Sequence, residues 1–299
     1  MAGELVAAQE RSKGMSLTKK IIAWGYAPGM TVGALGLGLW VVQTGLPLAW
    51  LIAIAVLAIA LSFLTERWNA YQPDWNENQG DRTRDIWHAC VNESLVCMSV
   101  LSLPLIAHIV PSFGIWPSHW PLVVQLVVAI VVADIGITLA HYASHKWTWL
   151  WRLHAVHHSV RRMYGFNGLM KHPLHQLIET VAGTTPLVLA GLPVEVAALL
   201  GLAISVQLLL QHSNVDMRIG VLKSFWAVAL IHRFHHVREE GAGDVNFGLF
   251  TTLTDRVLGT TYYDDRMFVS DDLGIAGEPN YPRDYRAQLK KPFEASYGR

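Results

Sequence analysis

Three groups of histidines have a spacing that suits metal binding. On a helix, residues three or four positions apart lie on one face, so the imidazoles of such a group point in a common direction. Neutral imidazole binds iron, zinc, copper and nickel, and helices that carry such groups form a metal site where they meet. The first group has the pattern HxxxH and the other two have the pattern HxxHH; their members are His141 and His145, then His154, His157 and His158, then His232, His235 and His236.

The number of grouped histidines predicts two metal ions. Eight imidazoles exceed the roughly four to six ligand positions of one ion, and so many unpaired rings would be costly among apolar residues. A lone histidine is more often an ordinary core or surface residue than a ligand, so the prediction rests on the grouping. The sequence contains no HExxH motif, and no Glu is followed by His three residues later. These absences argue against a zinc-protease site and against a carboxylate di-iron bundle.

The remaining possibility is an all-imidazole dinuclear site, and the composition places it in a membrane protein. The chain has 299 residues, of which 52% are hydrophobic and 15% are charged. Apolar runs near residues 24–43, 48–64, 86–110 and 121–139 have the roughly 17–25 residues that a membrane span requires. A shorter pair, near residues 177–190 and 194–210, is interrupted by Gly191 and Pro193 and predicts a shallower hairpin. Such a site at a membrane surface could bind dioxygen beside a lipid tail and oxidise an unactivated C–H bond.

We therefore expect an all-α integral membrane protein, in which transmembrane helical hairpins are topped by a cytoplasmic, helical, histidine-rich di-metal domain. The expected parts are a cytoplasmic N-terminal segment at residues 1–25, transmembrane hairpins at 26–130, a histidine-cage catalytic region with a short membrane hairpin at 131–263, and a cytoplasmic C-terminal tail at 264–299 that covers the site. No signal peptide is evident, so the first apolar run is expected to stay in the membrane as a start-transfer helix.

The distribution of positive charge predicts the orientation of the chain. The loops near residues 44–48, 111–120 and 191–194 contain no Lys or Arg. Basic residues lie at the opposite helix ends and among the histidines; examples are Arg11, Lys13, Arg161, Arg162, Arg233 and Arg238. Because Lys and Arg remain on the cytoplasmic side of short loops, the metal site is expected to face the cytoplasm. The net charge is zero and no basic block stands apart from this topology, so nucleic acid is not an expected partner.

The order HxxxH, HxxHH, HxxHH after membrane hairpins resembles the fatty acid hydroxylase or sterol desaturase superfamily, which contains histidine-rich membrane di-iron oxygenases. The resemblance extends over residues 131–263 and includes several further elements. They are Asp134 seven residues before His141, His172-Pro173, His212-Ser213-Asn214, Asn246-Phe247, and the closing sequence DRVLGTTY at residues 255–262.

The resemblance implies that all eight grouped histidines are catalytic metal ligands, with His212 as a ninth ligand. His172, His175, Asp134 and Asn246 are further candidates, either as ligands or as residues that hydrogen-bond a ligand. His175 departs from the family pattern, in which Glu is common after the His-Pro element. A carboxylate within an apolar helix is usually functional, so Asp134 is expected to orient a ligating imidazole. Asp244 and Glu239 are interpreted as solvated loop charges.

The resemblance also implies the reaction. Two iron ions (Fe²⁺/Fe³⁺), with dioxygen as co-substrate, would hydroxylate a C–H bond of a lipid-like substrate such as a fatty acyl chain or a sterol. A desaturase or an ether-lipid monooxygenase could use the same site, and zinc could replace iron on purification. The sequence has no nucleotide-binding glycine motif, haem CxxCH or iron–sulfur cysteines, so an external electron donor of the ferredoxin or cytochrome b5 type, with its reductase, is implied.

Three other classes of protein remain as alternatives. A membrane cytochrome would place paired histidines near mid-membrane, and a zinc hydrolase could use the same ligand type. A membrane metal transporter or metal-binding protein would carry polar residues along its spans as a pathway. Asp134, Glu93 and Gln207 are the candidates for such a pathway.

Overall fold

Long helices form most of the protein in the computed structural model, which describes residues 15–295. Three helical hairpins follow one another along the chain, and a short helix, α5, joins the second hairpin to the third. Their bounds are Leu17–Gln43 (α1), Ala49–Trp68 (α2), Arg82–Ile109 (α3), Leu122–Lys146 (α4), Thr148–His158 (α5), Pro173–Ala190 (α6) and Val194–His212 (α7). Within residues 15–295 the β-structure is limited to isolated bridges. The predicted all-α class is therefore confirmed.

Shorter helices complete the part of the chain that follows α7. They are Ala229–His232 (α8), which continues as a 3-10 turn at Arg233–His236, then Leu253–Leu258 (α9) and Tyr285–Lys290 (α10). The C-terminal segment packs on the end of the bundle that carries His236 and His88. The N–H of Gly274 donates to the carbonyl of His236, and the Gln288 side chain contacts His88 at 2.8 Å.

The chain is a multi-pass membrane protein, because α1, α2, α3, α4 and α7 are long and apolar enough to cross a bilayer. The helices extend beyond the apolar runs that predicted them. For example, α1 begins at Leu17, inside the expected N-terminal segment, and α4 continues past residue 139 to Lys146. A hydropathy run ends where polar residues begin, whereas the helical backbone continues through the interface. Residues 1–14, which include Arg11 and Lys13, and residues 296–299 lie outside the described residues.

Helix α7 is the central element of the bundle. It contacts α1, α2, α3 and α4, and 72% of the residues in its most apolar stretch are buried within the protein. A helix that is apolar on every side is expected in such a position. Helix α7 has the length and hydropathy of a full span, whereas α6 carries Gln176 and Glu179 and is not among the five candidate spans. The shallow membrane hairpin stays a prediction.

Helices α4 and α6 approach closely through small residues. A Cβ atom on Gly136 of α4 would lie 2.2 Å from the carbonyl oxygen of Ala182 in α6, and one on Gly183 would lie 2.8 Å from Cγ1 of Ile137. Small residues permit this kind of contact between membrane helices. The crossing sets the C-terminal histidines of α4 beside the first turn of α6.

We predict that Gly136→Ala lowers the melting temperature of the purified protein, because the added methyl group collides with backbone and forces the two helices apart, at a cost of about 1–3 kcal/mol. Gly29→Ala in α1 is the matched control, since nothing lies within 4 Å of its Cβ position. A thermal unfolding series in detergent measures both variants, and equal melting temperatures would contradict the proposed packing.

Candidate metal centre

Nine buried histidines converge at one end of the bundle and form two groups. In each group, one ring nitrogen per histidine lies within 4.8 Å of the chosen nitrogens of the other members. The larger group, which we call group 1, contains His141, His145, His154, His158 and His235. The smaller, group 2, contains His157, His212, His232 and His236. The structure thus brings together all eight histidines of the three sequence motifs and also His212.

The groups do not coincide with the sequence motifs. Each HxxHH motif is divided, so that the two histidines four residues apart stay together and the histidine between them joins the other group. His154 and His158 thus belong to group 1, while His157 of the same helix belongs to group 2. In the third motif the assignment is reversed: His232 and His236 belong to group 2, and His235 belongs to group 1. Each HxxHH segment therefore contributes to both groups and ties them to each other.

Four elements supply the nine rings. The last turns of α4 provide His141 and His145, and α5 provides the second motif. His212 is the final residue of the central helix α7. The third motif begins at the end of α8 and continues into the 3-10 turn that follows it. Because these are helix ends, the centre lies at the level where the spans leave the hydrocarbon.

Hydrogen bonds at Nδ1 determine the orientation of four of these rings. The acceptors are three backbone carbonyls and one carboxylate. The pairs are His141 with the carbonyl of Phe247 (2.8 Å), His145 with the Asp244 carboxylate (2.8 Å), His157 with the carbonyl of Met170 (2.9 Å) and His235 with the carbonyl of Val245 (2.8 Å). An imidazole that donates its Nδ1 proton keeps its lone pair on Nε2. In group 1 the Nε2 atoms converge, with His141 lying 2.8 Å from His235 and 3.0 Å from His154.

Group 2 contains buried nitrogens that lack a protein partner. Both ring nitrogens of His212, and Nδ1 of His236, have no hydrogen-bond partner among the described residues. A buried polar atom without a partner costs about 1–3 kcal/mol. A coordinated cation would satisfy such nitrogens, so the donor set fits a metal ion.

The histidines outside the membrane-spanning segments are kept uncharged by their surroundings. Burial, and then neighbouring imidazoles, hold the pKa of His154 and His158 well below the usual value, and burial does the same to His232, His235 and His236. Desolvation disfavours the charged form. The rings are therefore neutral at physiological pH, which is the state that binds a metal.

Asp244 is the carboxylate that contacts a grouped histidine, and its interpretation as a solvated loop charge is wrong. Its Oδ1 lies 2.8 Å from Nδ1 of His145, and its Oδ2 accepts from Nζ of Lys146 at 3.1 Å. Although burial alone would raise the pKa of Asp244, the hydrogen bond from His145 and the nearby Lys146 lower it well below the usual value. The sequence offers only a weak signal, an acidic residue eight positions after His236.

Asp134 has a different role from the predicted one. Its carboxylate accepts hydrogen bonds from the backbone N–H of Phe250 (2.7 Å), the backbone N–H of Thr251 (3.1 Å) and the Thr251 hydroxyl (2.6 Å). The described residues show no contact between this carboxylate and an imidazole. Asp134 instead anchors the loop that contains Phe247, whose carbonyl accepts a hydrogen bond from His141.

Two other polar side chains hold the same loop. Asn246 adopts a positive φ of 54° and its side-chain amide donates to the carbonyls of Ile231 and Tyr262. The Asp255 carboxylate accepts from the N–H groups of Phe247 and Gly248, each at 2.8 Å. Within residues 15–295, the side chain of Asn246 is thus hydrogen-bonded to backbone and to none of the grouped imidazoles.

His172 and His175 lie outside both groups. His172 caps α6, where its Nδ1 accepts from the N–H of Leu174 at 3.2 Å. His175 contacts the Ser144 hydroxyl at 2.9 Å, and its ring centroid is 4.5 Å from that of His154. Burial lowers the pKa of His175 to about 4. It therefore packs as a neutral ring against group 1.

Comparison with known proteins agrees with this geometry. A family model described as "Fatty acid hydroxylase" matches residues 126–260. The ornithine lipid hydroxylase OlsE of Rhizobium tropici is 30% identical to this chain over 260 residues, which cover 84% of the chain and 78% of that relative. No solved structure matches the chain.

We predict that Asp244→Ala weakens metal binding by about 10–100-fold, as changes to residues that orient ligands typically do. The metal affinity of Asp244→Asn should fall between those of the unmodified protein and Asp244→Ala, because its amide oxygen still accepts a hydrogen bond from His145. Metal content after dialysis against graded chelator measures this effect. Glu239→Ala, in the same loop and exposed, is the control. Unchanged retention in Asp244→Ala would show that the contact does not support the centre.

Proposed function

The chain belongs to the fatty acid hydroxylase family, and we propose that its two histidine groups hold two iron ions at which dioxygen hydroxylates a C–H bond of a lipid. The observation that supports this most directly is the convergence of nine buried imidazoles at the ends of membrane-spanning helices. A lipid-hydroxylating activity agrees with the family, and the relative is named for the hydroxylation of ornithine lipid.

The proposed ligands are the members of the two groups, with one ion in each. Iron bound there would supply the reductive activation of dioxygen that hydroxylation requires. Three imidazoles of group 1, those of His141, His145 and His235, are held by carbonyls or by Asp244. In group 2, both ring nitrogens of His212 have no hydrogen-bond partner among the described residues. Zinc accepts the same ligands, so the metal content of protein purified under different conditions distinguishes resident iron from substituted zinc.

Aromatic side chains pack against the imidazoles of group 1. The Phe247 ring lies edge-on to His141, His145 and His235, with centroids 5.0–5.5 Å apart. On the other side Trp151 lies 5.1 Å from His145 and 5.3 Å from His158. These aromatic contacts limit the access of water to the rings, which restricts side reactions of strong oxidants.

The reaction requires electrons that the chain itself does not store. Hydroxylation inserts one oxygen atom of dioxygen into the C–H bond and releases the other as water, which consumes two electrons and two protons. We propose a ferredoxin or cytochrome b5 type donor, with its reductase. A cavity of about 340 Å³ reaches His145, His158 and His235 from the side of the C-terminal segment, and Arg238 is among its lining residues. A donor would come closest to the metals at this opening, whose lining carries Arg238 together with Glu239, Glu240 and Glu278.

We propose that this end of the bundle faces the cytoplasm. The three hairpin loops at the opposite end carry no Lys or Arg, whereas basic residues such as Lys146, Arg161 and Lys171 lie near the histidines. The positive-inside rule then gives the orientation.

A metal-transport function has less support. Glu93 contacts the Ser205 hydroxyl at 2.8 Å, and the Gln207 amide donates to the carbonyls of Ala227 and Leu249. Asp134 is likewise occupied by loop backbone. These three polar residues of the spans therefore tie structural elements together and do not form a continuous pathway.

We predict that His157→Ala and His235→Ala, which each remove one member of a different group, abolish product formation and reduce bound iron from about two ions per chain to about one. His108→Ala at the opposite end of α3 is the control, since that ring is exposed. Iron analysis and membrane insertion are measured on each variant. Normal turnover in a correctly inserted His157→Ala or His235→Ala protein would contradict the ligand assignment.

The reaction itself is tested with detergent-purified protein reconstituted anaerobically with ferrous iron, then supplied with a membrane lipid extract, a chemical reductant and isotopically heavy dioxygen. We expect a lipid product that gains one heavy oxygen atom, detected by mass spectrometry. Product that instead lost two hydrogens would identify a desaturase, and incorporation of oxygen from water would exclude the proposed oxygenase.

A further inference from the structure

A long apolar cavity lies beside the metal centre, between α3, α6 and α7. It has a volume of about 460 Å³, and no histidine lines it. Lining residues extend along α6 from Pro173 to Val188 and along α7 from Ala197 to Leu208. At 1.5 Å per residue these stretches measure about 22 Å and about 16 Å. The shorter stretch is close to the thickness of one leaflet, which is about half of the ~30 Å hydrocarbon layer, and the longer stretch exceeds it.

The two ends of the cavity differ in polarity. Charged lining residues occur at one end only, where the ammonium group of Lys171 pairs with the carboxylate of Glu179. Hydroxyl groups further along the wall, such as those of Ser99 and Thr184, donate to carbonyls of their own helices. Apart from the Lys171 end, the wall therefore offers apolar contact.

The polar end of the cavity is the end beside the metal centre. Lys171 directly follows Met170, whose carbonyl accepts from His157. Gln176 at the same end follows His175, whose ring packs against His154. The other end reaches Leu192, next to the hairpin loop on the opposite side of the bundle.

The cavity also borders the bilayer along its side. Several lining residues are partly exposed on the outer surface of the bundle, including Met98 (62%), Leu177 (53%) and Val181 (52%). Because these side chains face hydrocarbon in a membrane protein, a lipid chain can enter sideways between α3 and α6 without passing through water.

We propose that this cavity holds one acyl chain of a membrane lipid, with the chain terminus toward Leu192 and the headgroup beside Lys171. This inference rests on the proposed function. A polar headgroup in the hydrocarbon layer would be costly, so it must stay at the interface, which is the level of the histidine groups. The C–H bonds nearest the metals then belong to the headgroup or to the first carbons of the chain. One of these C–H bonds becomes C–OH. One atom of dioxygen enters the bond and the other leaves as water, with two electrons and two protons supplied from outside.

Gly201 lies in the wall of this cavity, where α7 closely approaches α3. A Cβ atom there would lie 3.3 Å from Cγ1 of Val96, so a larger side chain would press against α3 and occupy part of the cavity. Thr184 faces the same cavity from α6. Both positions lie away from the histidines, so substitutions there alter the chain-binding space and leave the proposed ligands in place.

The orientation of the acyl chain in the cavity is tested by photolabelling of the full-length, iron-loaded protein in lipid nanodiscs. The probes are phosphatidylcholines with a diazirine either at the first methylenes or at the last methylenes of one acyl chain. We expect the first probe to label peptides containing residues 171–180 and the second to label peptides containing residues 188–192 or 103–106. Reversed labelling, or labelling by both probes outside the cavity, would overturn the proposal.

Variants and product analysis provide a second readout. Gly201→Leu and Thr184→Leu should reduce labelling by the distal probe at least fivefold, whereas Gly33→Leu in α1, where nothing lies within 4 Å of the Cβ position, should label as the unmodified protein does. Tandem mass spectrometry of the product should place the hydroxyl in the headgroup or on the carbons nearest to it. A hydroxyl near the terminal methyl would contradict the proposed orientation of the acyl chain. If labelling is as expected but no lipid is hydroxylated, the proposed function fails while the cavity assignment stands.

Discussion

The burial of nine imidazoles at one end of a membrane bundle is the constraint on which the rest of the structure depends. Each ring has two nitrogens that lose their contact with water, and a bound cation can satisfy one of them. The other nitrogen needs a protein acceptor or remains a cost. Four rings find that acceptor in a backbone carbonyl or in Asp244. These contacts determine the tautomer and the direction of the lone pair, so metal affinity depends on residues that are not ligands.

The loop that supplies most of these acceptors explains how the acidic residues near the centre are used. Phe247, Val245 and Asp244 all belong to the segment between the third histidine motif and α9. Asp134 and Asp255 accept hydrogen bonds from backbone N–H groups of this segment. Their carboxylates therefore order the loop, and the proposed ligand set consists of imidazoles alone.

The bundle places the metal centre and the lipid cavity side by side. Helix α7 ends in His212 and also forms one wall of the cavity, while α6 begins next to His175 and forms another. The contact through Gly136 fixes α6 against the helix that bears His141. As a result, the depth of the substrate in the membrane is coupled to the position of the metals. A membrane enzyme can select a position on a lipid in this way without recognising the whole molecule.

The sequence by itself determined the helical class, the membrane location and the grouping of eight histidines, because helical spacing and hydropathy are local properties. His212 came only from the resemblance to the family. It also predicted the hairpins, although with ends that stopped at the last apolar residue. The tertiary structure alone decided how the motifs divide between the two groups, since that depends on which helix faces meet. It likewise decided that Asp244 contacts His145 across 99 residues of sequence, and that Asp134 binds loop backbone. Such pairings join distant segments, and no local pattern encodes which buried donor a carboxylate will meet.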